Sequence, residues 1–177
     1  MELWKTIAEE ASEESELWTA ALLPRRERQL EPVFSPLGPA RFALGIETIY
    51  EGYLLHYATS RLFRPSDRDT SLLLGDYLYA HGLVRVAAHE EALAVADLAE
   101  LISLCAHLRA EGAEGDGAAW AATAALVGQG VLHNGRAALQ GRFDPGPLHR
   151  LAAAVAGEDA VRQSLEAHAM RCARVAA

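Results

Sequence analysis

Three observations predict an all-α, single-domain helical bundle. Hydrophobic residues make up 51% of the 177-residue chain but aromatic ones only 7%, so small aliphatic residues, above all Ala, must fill the core. Ala is also the strongest helix former. Apolar residues recur at helical spacing along most of the chain. No stretch reads as a convincing strand, and no internal repeat or second domain is visible. One domain over 1–177, with about seven or eight helices, is long enough to bury a core.

Residues 2–22 read as one helix or two short ones. Trp4, Ile7, Ala8 and Ala11 share a face, and Ser15 is placed to cap a restart. Pro24 ends that segment, a short helix over 25–33 is expected, and FSPLGP (34–39) is a turn. The third helix is expected over about 39–63. Phe42, Ile46, Ile49, Tyr50, Tyr53 and Tyr57 cluster on one side, and Leu44, Leu55 and Leu62 lie opposite. Two apolar stripes require partners on both sides. Glu47 and Glu51 lie one turn apart between them.

RPSDRD (64–69) is a turn in which Ser66 or Asp69 can cap the next helix, about 70–87. That helix is apolar nearly all round, and Gly75 and Gly82 fit close helix–helix approach at a cost of roughly 1 kcal/mol each against Ala. A fifth helix, about 89–110, turns Leu98, Leu101, Ile102 and Cys105 inward, with Asp97, Glu100, Ser103 and His107 opposite. EGAEGDG (111–117) is an acidic linker. A sixth helix, about 117–139, carries Trp120, Leu126, Val127, Val131 and Leu132, and Gly128 and Gly130 suggest a bend. Asp144 followed by Pro145 opens a short helix. The last helix, about 158–175, has Val161, Leu165, His168, Cys172 and Val175 inward.

Composition narrows function. A net charge of −8 opposes nonspecific binding to nucleic acid. No apolar run reaches membrane length and the acidic N-terminus is no signal peptide, so a cytoplasmic location is expected. Cys105 and Cys172 read as buried, reduced thiols, and no zinc spacing is present. The spacing offers no Ser/His/Asp or Cys/His nucleophile set, and GAEGDG lacks the strand and Lys of a phosphate loop. No cofactor is expected.

Several side chains stand out. Asp76, inside the run LLLGDYLYA, must be paired, hydrogen-bonded or pointed at a cavity; Arg61 and Arg85 are available partners. Tyr50, Tyr53, Tyr57 and Tyr77, with His81, either pack the core or line a site for an apolar ligand. Glu47, Glu51 and Asp76 are weak candidates for a metal site, and Arg41 or Arg68 is an equally natural partner for the two glutamates.

LLLGDYLYAHGL, with YLLHYATSRLF before it and EEALAVADLAELISLCAHLRAEG after it, resembles the polyprenyl diphosphate synthases. The match in helix order covers about 40–112, and the closing GEDAVRQSLEAHAMRCARVA is similar to that family's last helix. The resemblance implies a truncated terpenoid-synthase-like bundle. In the family a Leu-x-His-Asp-Asp-x-x-Asp motif holds Mg²⁺, which neutralises the departing diphosphate. Here the aligned run is Tyr57-Ala58-Thr59-Ser60-Arg61, and no second Asp-rich motif follows. The resemblance therefore implies a non-catalytic relative, similar to a heptaprenyl diphosphate synthase small component. Such a chain would act through protein–protein contact, as a homodimer or as a heterodimer with a catalytic prenyl synthase-like subunit, with the Ala-rich sixth helix available for the contact. An isoprenoid-binding protein and a metal-dependent helical enzyme are the alternatives.

Overall fold

The computed structural model describes residues 2–173. Among them are nine α-helices and no strand: α1 (Glu2–Glu14), α2 (Glu16–Ala21), α3 (Ala43–Tyr57), α4 (Arg68–Ala87), α5 (Ala92–Ala110), α6 (Asp116–Leu126), α7 (His133–Arg142), α8 (Gly146–Ala156) and α9 (Glu158–Ala173). Three 3₁₀ turns, at Arg25–Glu27, Ser35–Leu37 and Ala40–Phe42, link α2 to α3. Only the first of these falls where a helix over 25–33 was expected. No helix among the described residues is long and apolar enough to cross a membrane.

Local chemistry explains the helix ends. Ser15 leaves helical geometry (φ −155°, ψ 135°) and its hydroxyl accepts a bond from the Leu17 N–H, which separates α1 from α2. Asp67, rather than Ser66 or Asp69, caps α4: its carboxylate accepts from the Thr70 N–H at 2.8 Å. Such caps are worth about 1 kcal/mol each.

Helices α3 and α4 form the most extensive helix pair in the fold. Glycine sets their separation. A Cβ on Gly45 would lie 3.1 Å from the Gly82 carbonyl oxygen, and one on Gly82 would lie 3.0 Å from that of Gly45. Gly52 and Gly75 face each other in the same way. Each helix thus carries two glycines seven residues apart, matched in antiparallel register. The helical penalty of Gly is offset by backbone-to-backbone packing that no other residue permits.

The two apolar stripes of α3 serve two cores. Ile46, Ile49, Tyr50 and Tyr53 join the main core with Phe34, Trp120 and the inward faces of α5, α6, α8 and α9. Leu55 joins a second core with Trp4, Ile7, Leu74, Leu78 and, from the segment after the helix, Leu62; Leu44 packs against it.

Four expectations need correction. The third helix ends at Tyr57, not near 63. Residues after it run extended beside the end of α2: Leu23 N–H donates to Leu62 O at 2.9 Å and Arg64 N–H to Ala21 O at 2.7 Å. The helix expected over 117–139 is two, because Gly128 and Gly130 take positive φ (81° and 67°) between α6 and α7. Asp97 is buried rather than outward: its carboxylate accepts from Gly128 N–H at 2.8 Å and from Arg136 Nη1 at 3.0 Å, pinning that break to α5. Helix α6 itself is buried from Asp116 to Leu126, so it serves this chain's own core and offers no surface for a partner. Val175, expected on the inward stripe of the last helix, lies outside the described residues.

Gly52→Ala places a Cβ 2.8 Å from the Gly75 carbonyl oxygen, a backbone atom that cannot swing aside. Overpacking of that kind costs about 1–3 kcal/mol, more than the gain of about 1 kcal/mol in helix propensity. Urea unfolding of Gly52→Ala is expected to show net destabilisation, whereas Gly141→Ala, with nothing within 4 Å, should not be destabilised.

Candidate functional site

Two polar clusters are built around α3. The first lies at the point where the chain leaves the helix. Arg61, Glu47 and Glu51 are each 0% exposed. Arg61 Nη1 donates to Glu47 Oε2 at 2.6 Å and to the Glu31 carbonyl at 3.0 Å, while its Nε donates to Glu51 Oε1. The remaining carboxylate oxygens are also occupied. Glu47 Oε1 accepts the N–H groups of Val33 (3.1 Å) and Ser35 (3.0 Å), and Glu51 Oε2 accepts the Ser60 hydroxyl (2.6 Å) and the Arg61 N–H (3.2 Å). Trp4 covers the guanidinium, 4.4 Å from ring centroid to Cζ, and Tyr50 flanks it at 5.0 Å. Burial opposes the Arg61 charge, but the two carboxylates outweigh it and raise its pKa.

The second cluster lies at the floor of a cleft of about 700 Å³ between the end of α5, the starts of α6 and α8, and α9. Asp116, in the first turn of α6, is its hub. Its Oδ2 accepts from the Tyr53 hydroxyl and from Arg109 Nη2, and its Oδ1 lies 3.6 Å from His168 Nε2. His168 Nδ1 lies 2.9 Å from the Tyr50 hydroxyl. One turn on, Cys172 Sγ lies 3.7 Å from His168 Nε2, 3.4 Å from Arg109 Nη2 and 3.9 Å from the Tyr53 hydroxyl.

The electrostatics follow from this geometry. Burial works against a charged His168, but the bond to Asp116 and the interaction with Cys172 outweigh it and raise its pKa to about 9. Protonated, the ring donates from both nitrogens: Nδ1 to Tyr50, and Nε2 toward Asp116 and Cys172. Burial would raise the Asp116 pKa, yet His168, Tyr53 and Arg109 together hold it well below the usual carboxylate range. For Cys172 burial again pushes up, and the hydrogen bond and charge of His168 prevail and lower it.

The six residues singled out for ligand binding do not converge. Tyr50 and Tyr53 are fully buried and pack edge-on against Trp120, so they fill the core rather than line a cavity. Tyr57 lies at the rim of the second cluster, 5.8 Å from the Arg109 guanidinium. Asp76 is neither in a packed core nor on a cavity: its side chain is 69% exposed and lies 3.1 Å from His56 Nε2. Tyr77 and His81 pack tilted against each other on the side of α4 that meets α1 and α2, where the Tyr77 ring also lies tilted against Trp18. The metal candidates fare no better. Glu47 and Glu51 are consumed by Arg61, not by Arg41 or Arg68, and Asp76 lies apart; no group of His, Cys, Asp and Glu among the described residues could hold a metal ion.

The spacing offers no Cys/His nucleophile set, yet the structure places a cysteine and a histidine 3.7 Å apart. His168 and Cys172 stand one turn apart on α9, a spacing visible in the sequence. Their partners were not visible, because Asp116 sits in what reads as a linker and Arg109 at the polar end of α5. Comparison with known proteins finds no matching family model, curated protein or solved structure.

Arg61→Met leaves two buried carboxylates without their counter-ion. Loss of about 3–5 kcal/mol is expected by chemical denaturation. Arg61→Lys should recover only part of it, since one ammonium cannot reproduce the fork that reaches both glutamates.

The raised pKa of His168 carries a signed consequence. Its contribution to stability is fully present below its unfolded value of 6.5 and is lost as pH rises through about 9. Asp116→Asn removes the main support for that charge. The stability gap between Asp116→Asn and the native chain should be widest between pH 3.8, the unfolded value of Asp116, and pH 6.5, and narrow as pH rises through about 9; a gap independent of pH would contradict it.

Proposed function

We propose that this chain is a non-catalytic partner or regulatory subunit for a catalytic prenyl synthase-like protein, acting through protein–protein contact in isoprenoid diphosphate synthesis. The support from sequence is the order of segments: a helix, a polar turn, a helix bearing Gly75-Asp76-Tyr77-Leu78, then α5. The observation that carries the reading is the Arg61 cluster. It occupies the chain's exit from α3, where the synthases it resembles place metal-binding aspartates. Here that position holds a guanidinium already closed between Glu47 and Glu51, with all three side chains fully buried. A divalent cation there would have to displace Arg61 and strip its hydrogen bonds. Chemistry on a diphosphate would then have to come from another chain. For contact with that chain, the outward side of α4 leaves Leu73 (60%) and Val84 (66%) exposed.

The test is co-expression with a synthase-like protein from the same source. Co-elution is expected, with prenyl transfer changed by this chain and none given by this chain alone in Mg²⁺. Replacing both Leu73 and Val84 with Glu should weaken co-elution without unfolding the chain, since both side chains are exposed. Prenyl transfer by the chain alone, or no association and no effect on the synthase, would overturn the reading.

A further inference from the structure

Helices α5, α6, α8 and α9 bring Cys172 to the floor of the 700 Å³ cleft, beside a proton donor and a fixed cation. The Arg109 guanidinium touches the sulfur at 3.4 Å and His168 Nε2 approaches it at 3.7 Å. Among the described residues, those two cations pair with one carboxylate, Asp116. Around the sulfur the other polar group is the neutral Tyr53 hydroxyl from α3; Glu114, His149 and Arg150 stand on the cleft walls. With a thiolate at Cys172 the cluster of Arg109, His168, Asp116 and Cys172 is neutral. With a thiol it holds an unbalanced positive charge at the partly buried floor of the cleft. Cys105, the other cysteine, is 1% exposed, and burial outweighs the Arg109 charge and pushes its thiol up.

We propose that Cys172 is a reactive thiolate that takes a hydroperoxide from the cleft and becomes a sulfenic acid, with His168 as the proton donor. The sulfur attacks the terminal oxygen of the hydroperoxide. The S–O bond forms as the O–O bond breaks, the sulfur is oxidised by two electrons, and the peroxide is reduced to an alkoxide. That alkoxide takes the proton from His168 Nε2 and leaves as an alcohol, so the products are Cys172 sulfenic acid, an alcohol and a neutral imidazole. The Nε2 proton is within reach of the departing oxygen because it already points at the sulfur. The Arg109 cation stabilises the negative charge that develops there. Ala113, Ala118, Pro145, Leu165 and Ala169 give the cleft apolar walls, which fit an organic hydroperoxide better than hydrogen peroxide. The inference is independent of the subunit reading: it concerns the far end of α9, not the exit of α3.

The full chain is treated with cumene hydroperoxide or hydrogen peroxide in the presence of dimedone, and labelled cysteines are located by mass spectrometry. Labelling is expected at Cys172 and not at Cys105, about tenfold or more faster than free cysteine near pH 6.5, where an ordinary thiol of pKa about 8.5 is about 1% ionised. Cumene hydroperoxide should outpace hydrogen peroxide. His168→Gln should slow labelling about tenfold while leaving the helical circular dichroism unchanged. In case that variant unfolds, the pH profile of iodoacetamide uptake by the native chain gives a second reading, with a midpoint expected below about 8.5. Labelling no faster than free cysteine, equal labelling of Cys105, a folded His168→Gln that reacts at the native rate, or an uptake midpoint at or above about 8.5 would overturn the proposal.

Discussion

Burying Arg61 between Glu47 and Glu51 removes three charges from water and leaves one negative charge in excess. Neutral donors spread that excess: the N–H groups of Val33, Ser35 and Arg61 and the Ser60 hydroxyl all point at the two carboxylates. The rest of the fold is arranged by these donors. The loop over 31–35 must lie against one side of α3, and the segment 60–63 against another. Trp4 of α1 closes the top. A buried ion pair is weak as a source of net stability, because apolar residues of the same volume often do as well. What this one supplies is position.

The second cluster obeys the same arithmetic with a different boundary. Asp116 is as fully occupied as Glu47, but its partner Arg109, and Cys172 beside that guanidinium, are only partly buried and reach a cleft. A charge cluster sealed on every side can only hold the chain together. One that opens on solvent keeps its charges available to something that enters. That difference in access, rather than residue type, separates the structural cluster from the candidate site.

How much could be read from the sequence follows from the range of the forces involved. The two stripes of α3 and the glycines of α4 were legible because helix periodicity and glycine packing act over a few residues. The cap at Ser15 was legible for the same reason. The end of α3 was not: residues 58–63 keep a helix-compatible pattern, and the contacts that draw them out come from α2 and from Glu51. The sequence leaves Arg61 without its true partners, because Glu51 and Glu47 lie 10 and 14 residues back, on a helix that ends before Arg61 and faces it only once the chain turns. The cleft cluster needed Tyr53, Arg109, Asp116 and Cys172 from four helices, and only the His168–Cys172 step is local.

Tyr50 ties the two clusters into one system. Its ring flanks the Arg61 guanidinium at 5.0 Å, and its hydroxyl lies 2.9 Å from His168 Nδ1. It is fully buried, held edge-on by Phe34 and Trp120, and burial pushes its phenol well above the ordinary value. It therefore stays a neutral hydroxyl that accepts from the imidazolium. One rigid side chain sets the distance between a sealed ion cluster and a protonated histidine across the width of α3. The orientation of His168, and with it the donor that faces Cys172, is fixed by the same helix turn that carries Glu47 and Glu51. The buried arginine reaches the cleft through Tyr50, whose ring it flanks and whose hydroxyl meets His168.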